Sequence, residues 1–104
     1  MCGVSGIFSP NRPIEKSLNM MLETLKHRGP DNNGKYISEN FGMAHNRLRI
    51  IDLSDEANQP MQDDSGRYLI SFNGEIFNYK ELRKELSHAG SIFQTNSDTE
   101  ILLK

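Results

Sequence analysis

The spacing of hydrophobic positions along the chain shifts between a period of two and a period near 3.6, and those shifts mark out its elements. Residues 3 to 8 (Gly-Val-Ser-Gly-Ile-Phe) predict a strand whose small side chains let another group approach the backbone. After Pro13, Ile14, Leu18, Met21, Leu22 and Leu25 form one stripe with Glu15, Lys16, Asn19, Glu23 and Lys26 between them, which predicts an amphipathic helix stopping before His27 to Gly29. Residues 34 to 38, 42 to 51 and 67 to 72 predict strands, the last with Tyr68, Ile70 and Phe72 on one face. Helical period returns with Asn78 and Glu81 in a capping-box spacing, Tyr79, Leu82, Leu86 and Ala89 on one face, and Gly90 as the stop. Ser97 and Glu100 repeat the start signal for a helix of about seven residues, which closes on the apolar Ile101 to Leu103. An apolar turn there, lacking partners to cover it, leads us to expect the N-terminal part of a longer protein.

Composition narrows the function class. The 104 residues amount to about one domain, and 12 basic against 14 acidic side chains leave a net charge of −2. With 36% apolar residues and a mean hydropathy of −0.62, a small core under a polar surface and marginal stability are expected. Met20 to Leu22 and Ile101 to Leu103 are the longest apolar runs, far short of the roughly 18 residues of a membrane span. No basic-then-apolar leader precedes the first strand, and a single cysteine, Cys2, cannot form an intrachain disulfide; a reducing, cytoplasmic setting is expected. The charges are mixed without a Lys/Arg cluster, which argues against nucleic acid as a partner. His27, His45 and His88 lack metal-ligand spacing, and no Gly-rich phosphate loop precedes a helix.

Cys2 is the most informative position. A small residue after the initiator permits removal of Met1, which exposes an α-amine on the residue that carries the thiol. A free thiol titrates near about 8.5 and an α-amine at about 7.7–8.0, so at neutral pH a minor unprotonated amine population can take the thiol proton without a histidine. Position and residue type alone are equally met by an inert second residue.

Five further stretches bear on that choice. Met-Cys-Gly-Val-Ser-Gly-Ile-Phe at 1 to 8, His-Arg-Gly-Pro-Asp at 27 to 31, the block from His45 to Met61 with Arg-Leu-Arg-Ile-Ile-Asp-Leu and Ala-Asn-Gln-Pro-Met, Phe-Asn-Gly-Glu-Ile-Phe-Asn at 72 to 78, and Ser-Asp-Thr-Glu at 97 to 100 occur in one order. Together they resemble the glutaminase (class II glutamine amidotransferase) domain of glutamine-hydrolysing asparagine synthetases, over essentially the whole chain. The Cys-Gly start alone fits any class II amidotransferase; the second and third blocks favour the asparagine synthetase branch. The resemblance implies an α+β fold of the N-terminal-nucleophile hydrolase type, two antiparallel sheets between helical layers, incomplete at the C-terminus.

It also implies roles. Cys2 matches the nucleophile that forms a γ-glutamyl thioester with glutamine. Asn73 and Gly74 match an oxyanion hole built from a side-chain amide and a backbone N–H, fixed dipoles that need no reorganisation during reaction; Asn-Gly is equally a strong hairpin-turn signal. Arg47 matches the grip on the substrate's α-carboxylate, for which a planar guanidinium is suited. Strand alternation puts Arg47 and Arg49 on one face, so period does not choose between them, and Leu48, Ile50 and Ile51 complete the same stretch of the pocket. Asp98 matches the acceptor for the α-ammonium, with Glu75 beside it, although Asp at a helix start is also simply favourable to the helix dipole. His27, Arg28 and Asp31 are expected to order a loop near the site.

The function expected on this reading is hydrolysis of L-glutamine to glutamate and ammonia, with ammonia passed to a C-terminal synthetase domain that uses ATP and Mg²⁺ to activate aspartate. No cofactor is expected within these residues, no membrane or nucleic-acid partner, and the same resemblance leaves room for a homodimer. Two competitors stand: an amidotransferase of a biosynthetic cluster with another ammonia acceptor, and a catalytically silent interaction module.

Overall fold

The computed structural model describes residues 1–11 and 13–104. Its elements run β1 (Gly3–Phe8), α1 (Ile14–Thr24), β2 (Asn32–Ile37), β3 (Phe41–Arg47), a short 3-10 turn (Asp55–Ala57), β4 (Met61–Gln62), β5 (Leu69–Ile70), α2 (Tyr79–His88) and a 3-10 helix (Thr99–Leu103). β1, β3 and β2 form one antiparallel sheet in that order, and β4 pairs with β5 in a second, two-stranded one. The chain is thus a small α+β fold with two antiparallel sheets and two α-helices among the described residues.

The register of the larger sheet decides what each face carries. Gly3 pairs with Asn46, Ser5 with Ala44 and Ile7 with Gly42, so these residues share one face of the pleat. α1 packs there, burying Ile14, Leu18 and Leu22 against Ala44. The i, i+4, i+8 spacing of those three side chains is what makes the stripe continuous on one side of the helix. Lys35, across from Ala44 on β2, reaches Glu15 at 2.7 Å and Asn19 at 2.9 Å on the helix, framing this small core with polar contacts.

Chain connections around the sheet are seated by backbone contact. Asp31 N donates to Arg47 O at 3.1 Å, and Gly29 lies so close to β3 that a Cβ on it would be 2.2 Å from Asn46 O and 2.6 Å from Arg47 N. Only a hydrogen fits there. Asn46 reaches the other way, donating to Leu22 O at 3.0 Å and satisfying a carbonyl near the end of α1.

Several expected boundaries move. The strand expected over 42 to 51 ends at Arg47, because residues 48 to 51 leave the sheet to begin the loop that wraps the Arg47 guanidinium. The strand expected over 67 to 72 is only Leu69–Ile70, with β4 as its unforeseen partner. The expected Asn78 capping box is not made: Glu81 N and Leu82 N bond the Asn78 carbonyl at 3.1 Å, without a side-chain cap. Gly90 does stop α2, with φ of 103°. The last start signal opens a 3-10 helix instead of an α-helix, and Glu100 bonds backward to Gln94 N at 2.9 Å, Thr95 N at 2.8 Å and Thr95 Oγ1 at 2.7 Å.

Two consequences can be measured. Gly29→Ala forces a methyl group into the β3 backbone and is expected to lower stability by about 1–3 kcal/mol or more, read from denaturant midpoints; an unchanged midpoint contradicts the seating. Burial pushes the Glu100 carboxyl up, but the donors from Gln94 and Thr95 and the charge of Lys104 outweigh it and hold it below the ordinary range. Because a depressed folded value gives stability that is present above the unfolded value of about 4.3 and lost below it, Glu100→Gln should lower Tm at neutral pH, and its deficit against wild type should shrink as pH falls below about 4. A deficit that does not change with pH would remove the carboxylate from this role.

Candidate active site

Sequence-distant segments meet at one cavity of about 390 Å³, a size suited to a small metabolite. Cys2 comes from the chain start before β1, Arg47 and Leu48 from the end of β3, Ile50 and Ile51 from the loop that follows, Asn73 to Glu75 from the segment after β5, and Asp98 from the turn before the 3-10 helix. All of these line the cavity. Arg49 does not: its guanidinium bonds Leu53 O at 3.0 Å and pairs with Asp55, while its N–H donates to Asp31 Oδ2 at 2.9 Å. The choice that alternation left open between the two arginines is made by the end of the strand, since only Arg47 still follows the β3 pleat.

The Cys2 thiol sits against the Leu48 backbone. Leu48 N donates to Sγ at 3.3 Å, and Sγ–H lies 3.8 Å from Leu48 O. An N–H aimed at sulfur meets the atom on which negative charge gathers when the thiol is deprotonated. The Cys2 carbonyl accepts from Arg28 Nε at 3.2 Å, so the His-Arg-Gly-Pro-Asp block braces the chain start at Cys2 through Arg28 and the β3 end through Asp31. His27, by contrast, places Nδ1 3.1 Å from Thr24 O, at the end of α1.

Arg47 is 6% exposed, and its charge is stabilised by oxygen atoms of the loop it wraps. Nη1 donates to Ser54 O at 2.6 Å and to Asn58 Oδ1 at 2.7 Å, and Nη2 donates to Asp52 O. Asp52 in turn accepts from Ser54 N at 2.7 Å and Asn96 N at 2.6 Å. Burial pushes the Asp52 carboxyl up, but the hydrogen bonds from Ser54 and Asn96 together with the Arg47 charge hold it below the ordinary range, so it stays a carboxylate.

The Asn73-Gly74-Glu75 turn is exposed, and its support lies behind it. Phe72 N donates to Gln59 Oε1 at 2.6 Å, and Phe72 O lies 3.2 Å from His45 Nε2. A carbonyl only accepts, so Nε2 carries the proton; burial, ahead of that bond, pushes His45 below its ordinary value and keeps the ring neutral at pH 7. On the far side of the turn, Ile76 N donates to Asp98 Oδ2 at 2.9 Å. A Cβ on Gly74 would come within 2.5 Å of the Phe72 ring, which folds over the turn.

Gln59, Phe72, Phe77, Ser97 and Thr99 also line the cavity, beyond the residues the sequence singled out. Gln59 lies inside one of the matched blocks and is buried, but an uncharged polar residue before a proline in a polar loop reads in the sequence as a solvated turn, so nothing local marks it. Among the described residues no group of three His, Cys, Asp or Glu side chains is placed to hold a metal, and no helix is long and apolar enough to cross a membrane.

Known proteins are similar to this chain over nearly its whole length. The chain is 42% identical to asparagine synthetase [glutamine-hydrolyzing] 1 of Bacillus subtilis over 99% of its length and 17% of that protein's. It is 37% identical to asparagine synthetase B [glutamine-hydrolyzing] of Escherichia coli over 99% of its length and 19% of that protein's. Amidase chry2 of Gibberella zeae is 35% identical over 99% of this chain and 17% of its own. The chain therefore spans less than a fifth of the length of these relatives. The family model described as glutamine amidotransferase domain matches residues 1–104, the region that contributes every wall of the cavity, and the chain belongs to that family.

Proposed function

We propose that this chain is the N-terminal part of a glutamine amidotransferase domain of the N-terminal-nucleophile hydrolase fold, and that it hydrolyses L-glutamine through a thioester on Cys2. The observation that carries the reading is the convergence of Cys2, Arg47, Asn73, Gly74 and Asp98 on one cavity from positions up to 96 residues apart. A free amino acid with an amide tail needs a nucleophile, an oxyanion site, an anion clamp and a cation clamp, and these residues supply one of each.

Once Met1 is removed, the Cys2 amine accepts the thiol proton and sulfur attacks the amide carbon. The carbonyl oxygen takes the resulting negative charge between the Asn73 amide and the Gly74 N–H, which are fixed before the charge arrives. The C–N bond then breaks as the Cys2 ammonium returns its proton to the leaving nitrogen, and ammonia departs. Water, deprotonated by the same amine, attacks the thioester; glutamate leaves and the thiol is restored. Arg47 has three N–H groups bonded to the loop, and its Nε–H and one Nη2–H remain to meet the α-carboxylate of the substrate. Asp98, with Glu75 beside it, receives the α-ammonium.

The ammonia goes to asparagine synthesis, which the names of the Bacillus and Escherichia relatives support, and the acceptor chemistry we assign to it is amidation of aspartate with ATP and Mg²⁺ in a synthetase domain. In a second reading the same half-reaction serves another ammonia acceptor, since one relative of equal coverage is named an amidase and not an asparagine synthetase. Asparagine formed from aspartate, glutamine, ATP and Mg²⁺ by the intact protein separates the two.

In the intact protein, Cys2→Ala should abolish glutamate release from glutamine, and equal turnover in that variant would end the thiol mechanism. Asn73→Ala should lower kcat by about 10²- to 10³-fold with a smaller change in KM, because the oxyanion contact strengthens as the tetrahedral intermediate forms. Arg47→Ala and Asp98→Asn should chiefly raise KM for glutamine; the amide at 98 keeps an acceptor for Ile76 N–H while removing the charge that meets the ammonium. Retained KM in both would strip these residues of their clamp roles.

A further inference from the structure

The two walls of the cavity that would hold opposite ends of the substrate are joined by one buried side chain. Gln59 is 7% exposed. Its Oε1 accepts from Phe72 N at 2.6 Å, immediately before the Asn73-Gly74 turn, and its Nε2 donates to Thr99 Oγ1 at 3.1 Å, immediately after Asp98. The Gln59 backbone is itself seated on the sheet: a Cβ on Gly34 of β2 would lie 2.2 Å from Gln59 O. A carboxamide is the side chain for this task, because it offers one acceptor and two donors in a fixed plane and carries no charge whose burial would need a partner.

We propose that Gln59 is a positioning residue for glutamine hydrolysis, tying the strand end that carries the Asn73-Gly74 oxyanion donors to the turn that carries Asp98 so that the two walls hold one spacing. The proposal rests on the amidotransferase reading above and goes beyond it, since Gln59 takes no part in the bond changes. The distance between oxyanion donors and ammonium acceptor must match the length of one substrate. Phe72 is held by Gln59 on its N–H and His45 on its carbonyl, so the peptide planes leading into Asn73 have little freedom to rotate. Ile76 N on Asp98 Oδ2 closes the loop from the other end. Removing the carboxamide opens this ring of bonds at its only side-chain bridge between Phe72 and Thr99 among the described residues.

The test compares wild type, Gln59→Leu, Thr99→Val and Thr99→Ser in the intact protein. Two readouts are used: steady-state glutaminase kinetics, and binding of glutamate γ-semialdehyde, an aldehyde that adds to the Cys2 thiol as a thiohemiacetal and places its oxygen in the oxyanion site. Misplacement of reacting groups by a fraction of an ångström to 1 Å is costly, so Gln59→Leu should lower kcat by about 10- to 100-fold and weaken aldehyde binding by a similar factor, more than it weakens binding of glutamate. Thr99→Val breaks only the far end of the bridge and should chiefly raise KM, and Thr99→Ser, which keeps the hydroxyl, should restore it. A purely structural Gln59 would lower Tm and leave the ratio of aldehyde to glutamate affinity at the wild-type value.

Kinetics and aldehyde affinity indistinguishable from wild type in a folded Gln59→Leu protein overturn the proposal. Should that variant not fold, Thr99→Val decides: a KM equal to those of wild type and Thr99→Ser overturns it equally. A wild-type protein that neither hydrolyses glutamine nor binds the aldehyde removes the amidotransferase reading and the positioning role with it, whereas an active wild type with unaltered variants removes the positioning role alone.

Discussion

Three consecutive polar side chains in the middle strand of the larger sheet are buried, and each bonds a different part of the chain, although His45 Nδ1 and Asn46 Oδ1 are left without a partner among the described residues. His45 is 0%, Asn46 2% and Arg47 6% exposed. Leaving any of these groups unpaired in the interior costs on the order of 1–3 kcal/mol, more for the charged one, so the fold is constrained to deliver partners to all three. Asn46 faces α1 and takes Leu22 O; His45 and Arg47 face the opposite way and take Phe72 O and the carbonyls of residues 52 and 54. A one-residue slip of β3 would exchange those faces and strand all three groups. The site draws on this accounting, since Phe72 and Asp52, which bond His45 and Arg47, form part of the cavity wall, other parts coming from the chain start and residues 97 to 99.

The apolar core is too small to do the same work. Ile14, Leu18, Leu22 and Ala44 fix α1 on one side of the sheet and nothing more. On the side that carries the site, connections are made by directed bonds: Asp52 to Ser54 and Asn96, Glu100 to Gln94 and Thr95, Gln59 to Phe72 and Thr99. Hydrophobic burial is non-directional and would tolerate sliding of one loop over another, whereas a carboxylate collecting backbone N–H groups specifies which loop meets which. A substrate site assembled from loops 50 residues apart needs that second kind of interaction.

How much of this could be read in advance follows the same division. β1, α1, α2 and the stop at Gly90 were legible because they rest on local period and on backbone propensity. Cys2, Arg47, Asn73, Gly74 and Asp98 are legible through resemblance, which selects Arg47, whereas alternation alone leaves Arg47 level with Arg49 because it presumes a strand through residue 51. The strand ends at Arg47 instead, since turning its guanidinium onto the carbonyls of Asp52 and Ser54 requires the chain to fold back, a long-range demand that no period encodes. β4 and β5 are two residues each, too short to carry a pattern. Ser97 and Glu100 have capping-box spacing, yet Glu100 serves the loop before the helix, a partner that local spacing does not specify.

The Asn73-Gly74 turn, to which we assign the oxyanion donors, itself makes few bonds. Among the described residues the Asn73 side chain has no hydrogen-bond partner, while Phe72 before it and Ile76 after it are both held through their backbones. An oxyanion donor that was already bonded inside the protein would have to break that bond as the charge develops, subtracting from the stabilisation it offers. Holding the flanking peptide groups instead fixes the backbone from which Asn73 and the Gly74 N–H project while leaving the donors' protons free. The ordering is done by Gln59, His45 and Asp98, whose hydrogen bonds fall on the backbone of Phe72 and Ile76 and not on Asn73 or Gly74, so a small, polar domain holds an exposed turn in place from its two flanks.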